Sequence, residues 1–227
     1  MRWRSPAEQR ALTRRRQLIG AALLAGYLAL WFVDKPIFVN FQYQTGAGHG
    51  DLGQMFKAFG SLPFWILACL AIALAAPRRD RRRQWALLVF LSATASGLIA
   101  EILKRIIGRE RPWTGDALGG LDPAAAAEQG ARVLEIGDKV HKPFLHAFWD
   151  TTNLGFPSSH AAVAFGATLM AMRFWPGAWP VLLIAGLGCA WQRLITGAHF
   201  VTDVYGALAI AWIVSAWIDG RVRGDWR

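Results

Sequence analysis

Two histidines and an aspartate have the side chains and the spacing needed for proton transfer and nucleophilic attack. His199 and Asp203 are four residues apart, so they are neighbours on one face of a helix. A carboxylate that holds one imidazole nitrogen fixes the tautomer and leaves the other nitrogen free to accept a proton or to attack. His160, in "FPSSH", could supply a second proton-transfer group. The alternative for His199 and Asp203 is a structural hydrogen bond.

Basic side chains end an apolar run in "ILKRIIGRERPW", residues 102 to 113. Lys104 and Arg111 are seven residues apart, or two helical turns, so both project from one face if the helix persists that far. They could bind a phosphate, or they could extend to lipid headgroups at the membrane surface. Arg105 and Arg109 are the better candidates for this second role.

The residues "PSSH" are typical of a helix start. Ser158 or Ser159 can be the N-cap, and the free N–H groups of the first turn then point at whatever lies in front of the helix. A serine hydrolase using Ser158, His160 and Asp203 is disfavoured, because no G-x-S-x-G elbow surrounds the serine. A metal site with both histidines is disfavoured, because the chain has neither an H-E-x-x-H motif nor a thiolate cluster. We therefore expect no metal and no cofactor.

The composition restricts the class of protein that carries these residues. Of the 227 residues, 54% are hydrophobic, and the formal net charge is +10, which suggests a membrane protein or a nucleic-acid binder. No nucleic-acid partner is expected, because the basic residues cluster at the ends of apolar runs and no zinc-finger or RNA-binding motif is present.

Six stretches are apolar enough to span a bilayer, which takes about 20 residues. They run approximately over residues 17–33, 62–77, 85–107, 159–175, 178–195 and 200–218. The first stretch lacks a convincing cleavage site and is expected to remain as an uncleaved helix. The sequence thus predicts an all-α, polytopic membrane protein with six transmembrane helices, in a single domain over residues 1–227.

The basic residues predict the orientation of these spans. Of the 25 Lys and Arg residues, 15 lie in the first 16 residues, in "RRDRRR" at 78–83, at Arg173 and after residue 218. With six spans these regions share one side, which the positive-inside rule assigns to the cytoplasm. Both termini are then cytoplasmic, and the chemistry-bearing residues converge at the outer ends of helices 3 to 6. Such convergence of polar side chains near a membrane indicates function.

Three segments carry a family resemblance. "KRIIGRERP", "PSSH" and "RLITGAHFVTD" resemble the signature motifs K-x6-R-P, P-S-G-H and S-R-x5-H-x3-D of the type 2 phosphatidic acid phosphatase (PAP2) superfamily. The motifs lie across residues 104–203, and the six-span layout is similar to that of the membrane members of the family. Two positions depart from the pattern: Ser159 replaces a glycine, which could narrow the pocket, and Gln192 replaces a serine.

The resemblance implies a role for each matching residue. His199 would be the nucleophile that becomes a phosphohistidine, Asp203 would orient it, and His160 would protonate the leaving group. The expected phosphate-binding residues are Lys104, Arg111, Ser158, Ser159 and Arg193. Arginine gives forked contacts to phosphate oxygens, and this cationic cradle can do the work often given to magnesium.

The resemblance also implies a lipid phosphate as the substrate. Phosphatidate, phosphatidylglycerophosphate, undecaprenyl pyrophosphate and lipid A phosphates are the candidates, with the site facing the periplasm from a bacterial inner membrane. Two alternatives remain open: a lipid-to-lipid phosphotransferase, and a noncatalytic protein that binds or transports a lipid phosphate. A vanadium haloperoxidase is disfavoured because those relatives are soluble.

The long loop over residues 113–156 contains His141, His146, Trp149 and Asp150. It is interpreted either as a lid over the site or as a surface insertion, and its residues are left out of the predicted catalytic set.

Overall fold

The computed structural model describes residues 6–42, 50–111, 141–151 and 153–225, and all regular structure in these residues is helical. The helices are α1 (Pro6–Gln42), α2 (Asp51–Ala58), α3 (Leu62–Ala75), α4 (Arg81–Ile107), α5 (Phe144–Trp149), α6 (Ser159–Phe174), α7 (Trp179–Ile195) and α8 (Val201–Asp225), with a short 3₁₀ turn at Pro176–Ala178. Two isolated antiparallel bridges join Arg109 to His141 and Glu110 to Leu154. The all-α prediction is confirmed for the described residues.

Four helical segments are long and apolar enough to cross a membrane: Gln17–Asp34, Arg81–Ile107, Pro176–Ile195 and Val201–Val222. The pair α2 and α3, bent by 69°, adds a fifth candidate if it counts as one broken span. The chain is therefore an integral membrane protein, but the predicted number of six spans is not confirmed. The sixth candidate, α6, has 16 residues. At 1.5 Å per residue it is about 24 Å long, shorter than a hydrocarbon core of about 30 Å.

Helix α6 is the centre of the bundle and packs against α4, α7 and α8. Small residues allow the close approach: the Ser92 hydroxyl of α4 donates a 2.7 Å hydrogen bond to the Gly166 carbonyl of α6. A Cβ added to Gly166 would lie 2.7 Å from the Ser92 carbonyl oxygen. Small residues at membrane helix interfaces permit this backbone contact. Packing on three sides fixes the start of α6, where "PSSH" lies.

Helix α4 ends earlier than two turns past Lys104. Gly108 has a left-handed φ of 68°, and its N–H donates to the Lys104 carbonyl at 2.8 Å. A glycine in this conformation is a common C-terminal cap, because it adopts positive φ without a steric penalty. The chain then continues as an extended segment through Arg109 and Glu110. The condition for a shared helical face of Lys104 and Arg111 is therefore not met.

Candidate active site

His199 and Asp203 form a buried pair at the start of α8. His199 Nδ1 lies 3.4 Å from Asp203 Oδ2, which also accepts the Phe200 backbone N–H at 2.9 Å. The two side chains are almost completely buried. Because the carboxylate faces Nδ1, the Nε2 atom of His199 is the nitrogen available for attack.

The surroundings of His199 bring the predicted residues together. Burial lowers the pKa of the His199 imidazole well below 6.5, and nearby positive charges lower it further. The largest of these charges are, in order of effect, Arg193, Arg111 and Lys104. They come from α7, from the segment after α4 and from α4. The imidazole is consequently neutral near pH 7, as a nucleophile must be.

The three predicted phosphate-binding cations are each held by a neighbour. On α4, Lys104 Nζ donates to Glu101 Oε1 at 3.0 Å. Arg111 reaches the site from the extended segment, with Nε donating to the Leu154 carbonyl at 3.1 Å. At the end of α7, the guanidinium of Arg193 donates to the Gln192 side-chain oxygen at 3.3 Å. Gln192, one of the two departures from the family motifs, thus orients a cation of the site.

Ser158 is the N-cap of α6 and links this helix to α8. Its hydroxyl accepts the Ala161 N–H at 3.5 Å, and its own backbone N–H donates to the Asp203 carbonyl at 3.0 Å. Ser159, the other departure from the motifs, donates its hydroxyl to Glu101 Oε1. Since that hydroxyl is engaged, contact between Ser159 and a phosphate would come from the backbone N–H of the first turn.

His160, the second residue of α6, is covered by the turn between α2 and α3. A Cβ added to Gly60 in that turn would lie 2.7 Å from His160 Cβ and 2.8 Å from Cys189 Sγ. Cβ atoms in proteins essentially never approach this closely, so only glycine fits here. The short, bent pair α2 and α3 therefore positions the second histidine.

Sequence reasoning missed a buried ion-pair network beside Asp203. Arg109 is 1% exposed, and its guanidinium donates to Asp203 Oδ1 and to Asp34 Oδ2, both at 3.0 Å. It also lies over the Phe200 ring, 4.3 Å from the centroid. Thr202 completes the network, because its backbone N–H donates to Asp34 Oδ1 at 2.9 Å. The lipid-facing role suggested for Arg109 is wrong.

A signal for this network was present in the sequence. Asp34 follows the first apolar stretch directly, and a carboxylate at the end of a membrane helix needs a partner when it is buried. Nothing in the sequence shows that the partner is Arg109, because 75 residues separate the two. Arg105 has a different role: it donates to the Phe148 carbonyl at 3.1 Å and so holds α5 against α4.

Part of the long loop lies outside the described residues, namely residues 112–140 and residue 152. The hypothesis that residues 113–156 form a lid is therefore untested. Trp149 is highly exposed on α5, and Trp191 packs against Phe56 with ring centroids 6.2 Å apart. Among the described residues, no three His, Cys, Asp or Glu side chains form a group that could hold a metal ion.

The site can be compared with known proteins. The family model of the PAP2 superfamily matches residues 85–222. The decaprenylphosphoryl-5-phosphoribose phosphatase of Mycobacterium tuberculosis is 30% identical over 163 residues, covering 72% of this chain and 74% of that protein. Its namesake from Mycolicibacterium smegmatis is 29% identical over 140 residues, covering 62% and 60%.

One solved structure has the same fold. It is the crystal structure of a transmembrane PAP2 type phosphatidylglycerolphosphate phosphatase from Bacillus subtilis, with a TM-score of 0.60 over 90% of this chain and 96% of that chain. At 16% sequence identity this similarity shows the fold alone.

Proposed function

Because the chain belongs to the PAP2 superfamily and is a membrane phosphatase of that type, we propose that it hydrolyses lipid phosphates through a phosphohistidine on His199. The observation that carries this proposal is a buried His199 that is paired with Asp203 and surrounded by the positive charges of Arg193, Arg111 and Lys104. The substrate is a lipid-linked phosphate monoester or pyrophosphate. The curated relatives are named for a prenyl-linked phosphoribose substrate, which belongs to the monoester class.

In the first step the substrate phosphate binds to the cationic side chains and to the free N–H groups at the start of α6. His199 Nε2 attacks the phosphorus atom while Asp203 holds Nδ1. The bond between phosphorus and the leaving oxygen breaks. His160, which takes up a proton when the phosphate dianion offsets the charges of Arg193 and Lys104 around it, gives that proton to the oxygen. The lipid alcohol leaves from a monoester, or the lipid monophosphate from a pyrophosphate, and the phosphoryl group remains on His199.

In the second step a water molecule attacks the phosphohistidine. His160, now neutral, takes a proton from this water. The nitrogen–phosphorus bond breaks, inorganic phosphate leaves, and His160 is protonated again for the next cycle. The arginine and lysine side chains stabilise the negative charge on the equatorial oxygens in both transition states.

The membrane location supports a lipid substrate. Lys104 lies near the end of the span Arg81–Ile107, and Asp203 lies in the first turn of the span Val201–Val222. A lipid tail can remain among the exposed apolar helix faces while its headgroup enters the site. From the distribution of Arg residues we further propose that the site faces the periplasm of a bacterial inner membrane and that both termini are cytoplasmic.

The test is phosphate release by the purified protein in detergent, with phosphatidate, phosphatidylglycerophosphate and a prenyl diphosphate as substrates. We expect release that survives EDTA, is inhibited by vanadate and is lost in His199→Ala. Binding of these lipids without release would favour the noncatalytic lipid-phosphate binding protein. Transfer of labelled phosphate to a second lipid would favour the phosphotransferase. Loss of activity in EDTA with recovery in magnesium would indicate a metal-assisted reaction.

A further inference from the structure

An acidic side chain lies beside the cations of the site, and the two-step reaction gives it no role. Glu101 lies on α4, three residues before Lys104, and its Oε1 accepts the Lys104 ammonium at 3.0 Å. The same oxygen accepts the hydroxyl of Ser159. The Glu101 side chain is 48% exposed, whereas His199 is 2% exposed. Glu101 therefore lies closer to the protein surface than His199 does.

A carboxylate at this place acts against phosphate binding. It repels every negative charge that enters the cradle of Lys104, Arg111 and Arg193, and the repulsion grows with the charge of the ligand. A pyrophosphate substrate, whose leaving group is the lipid monophosphate, would place extra negative charge next to Glu101. The carboxylate therefore disfavours pyrophosphate substrates relative to monoesters.

The same carboxylate favours a different chemical group. Both donors reach Oε1, and none of the described residues donates to Oε2. An ionised carboxylate accepts hydrogen bonds only, and such bonds are stronger than neutral ones. Since the Ser159 hydroxyl already donates to Glu101, its lone pairs are left to accept from a ligand. The pair thus presents two acceptors to hydroxyl donors.

We propose that Glu101 and Ser159 form a hydroxyl-recognition subsite beside the phosphate cradle, which selects phosphate monoesters of a polyol or sugar headgroup. The inference rests on the proposed function and narrows its substrate class. A hydroxyl on the carbons next to the phosphate ester donates its one proton to Glu101 Oε2, and a second hydroxyl, where a sugar supplies one, donates to Ser159 Oγ. Phosphatidate has no such hydroxyl, and a prenyl diphosphate has a second phosphate instead.

The test compares kcat/KM for three substrates in the same mixed micelles. These are phosphatidylglycerophosphate, which carries a hydroxyl near the phosphate, phosphatidate with the same acyl chains, and farnesyl diphosphate. We expect the wild type to prefer phosphatidylglycerophosphate. Glu101→Gln should lower kcat/KM for it by about 10-fold, the effect of losing a hydrogen bond to a charged group. The same variant should raise kcat/KM slightly for phosphatidate, whose phosphate is no longer repelled, and more strongly for the diphosphate, which carries more negative charge.

Two further variants make the result specific. Ser159→Gly, which restores the glycine of the family motif, should lower only the reaction with phosphatidylglycerophosphate. Asp219→Asn is the control, because it removes a carboxylate that lies outside the proposed subsite and pairs with Arg173 at 3.3 Å. It should not change the preference among the three substrates. Inhibition by inorganic phosphate gives a second readout, which does not involve a headgroup hydroxyl. Glu101→Gln should strengthen this inhibition.

The outcomes separate this inference from the proposed function. An equal loss with all three substrates in Glu101→Gln would show that Glu101 only holds Lys104, and the subsite would be wrong. A wild type with no preference for the hydroxylated substrate would overturn it as well. Phosphate release from phosphatidate or the diphosphate would still support the phosphatase in both cases. Absence of release from every substrate would overturn the proposed function itself.

Discussion

Among single residues, replacement of His199 and replacement of His160 are expected to impair the reaction in different ways. His199→Ala should abolish the phosphoenzyme, because the proposed attacking nitrogen is removed. His160→Ala should slow the reaction by about 10² to 10⁴ for an alcohol leaving group and much less for p-nitrophenol, which leaves without help from an acid. Acid-labile, base-stable phosphate label on the protein, followed together with turnover, measures both effects. If His199→Ala still carries the label, His199 is not the nucleophile. If His160→Ala slows the reaction equally with both leaving groups, His160 is not the general acid.

Arg109 is expected to act on the reaction through Asp203. In Arg109→Lys the charge remains, but a single ammonium cannot bridge Asp34 and Asp203 as the planar guanidinium does. We expect kcat to fall by about 10²-fold, the cost of a misplaced reacting group, with little change in KM. Arg105→Lys is the matched control, because Arg105 holds α5 and has no contact with the network. If Arg109→Lys lowers the melting temperature but leaves kcat unchanged, Arg109 stabilises the fold and does not act on the reaction.

The site residues that the sequence could predict are those whose partners are near in the chain. His199 and Asp203 are four residues apart, so helical periodicity alone indicates their pairing. Asp34 and Thr202 are separated by 168 residues, and no local pattern connects them. Glu101 was missed for a related reason: at three residues from Lys104 it looks like an ordinary helical ion pair, and only the position of Ser159 shows that it lies in the site. The catalytic assignments themselves stay predictions.

At the scale of elements, the turn between α2 and α3 is predicted to control His160. In Gly60→Ala the new methyl group would overlap His160 Cβ, so the imidazole must move away from its position. We expect the rate with a lipid substrate to fall by about 10²-fold, with a much smaller loss for p-nitrophenyl phosphate, as in His160→Ala.

Gly177→Ala is the control for this change, because an added Cβ there meets no atom within 4 Å. Both variants are assayed with the same two substrates after their melting temperatures are compared. Wild-type activity in Gly60→Ala would show that this turn does not position the histidine.

The helices could be predicted more closely than the route of the chain between them. The apolar stretch at 85–107 corresponds to α4 at Arg81–Ile107, and the stretch at 178–195 corresponds to α7 at Trp179–Ile195. Apolar length determines such elements. The direction of the chain after α4 depends instead on Gly108, whose left-handed conformation ends the helix, and on pairing with residues 141 and 154. These partners are distant in sequence, so the route of Arg111 to the site could not be predicted.

At the scale of the whole molecule, the orientation in the membrane stays a prediction. Leu145→Cys, at a 70% exposed position on α5, should react with an impermeant maleimide from outside intact cells. Arg79→Cys, in the "RRDRRR" loop, should react only after permeabilisation. The native Cys69 and Cys189 are buried and give a low background. The reverse pattern would place the site on the cytoplasmic side.

The single domain over residues 1–227 is also still a prediction, because the family model matches residues 85–222 only. The contacts that tie the first helix to the matched region include the pairing of Asp34 with Arg109 and Thr202 and the packing of Tyr27 against Phe156, with ring centroids 5.8 Å apart. In the span Gln17–Asp34 only 6% of the residues are buried, so this helix contacts the bundle over a small area.

The distance between Asp34 and Thr202 along the chain has a consequence for biogenesis. Translation proceeds from the N-terminus, so the ribosome makes Asp34 long before its partners, and at 5–20 residues per second the 168 residues to Thr202 take roughly 10 to 30 s. Arg109 follows Asp34 by 75 residues, so Asp34 is without this ion-pair partner at first and without Thr202 until the end of the interval. Because its carboxylate is charged, Asp34 is more stable at the water interface than buried in lipid during this time. We therefore expect Asp34 to enter the bundle only after the start of α8 has been made, and a nascent chain that stalls before α8 should keep the first helix undocked.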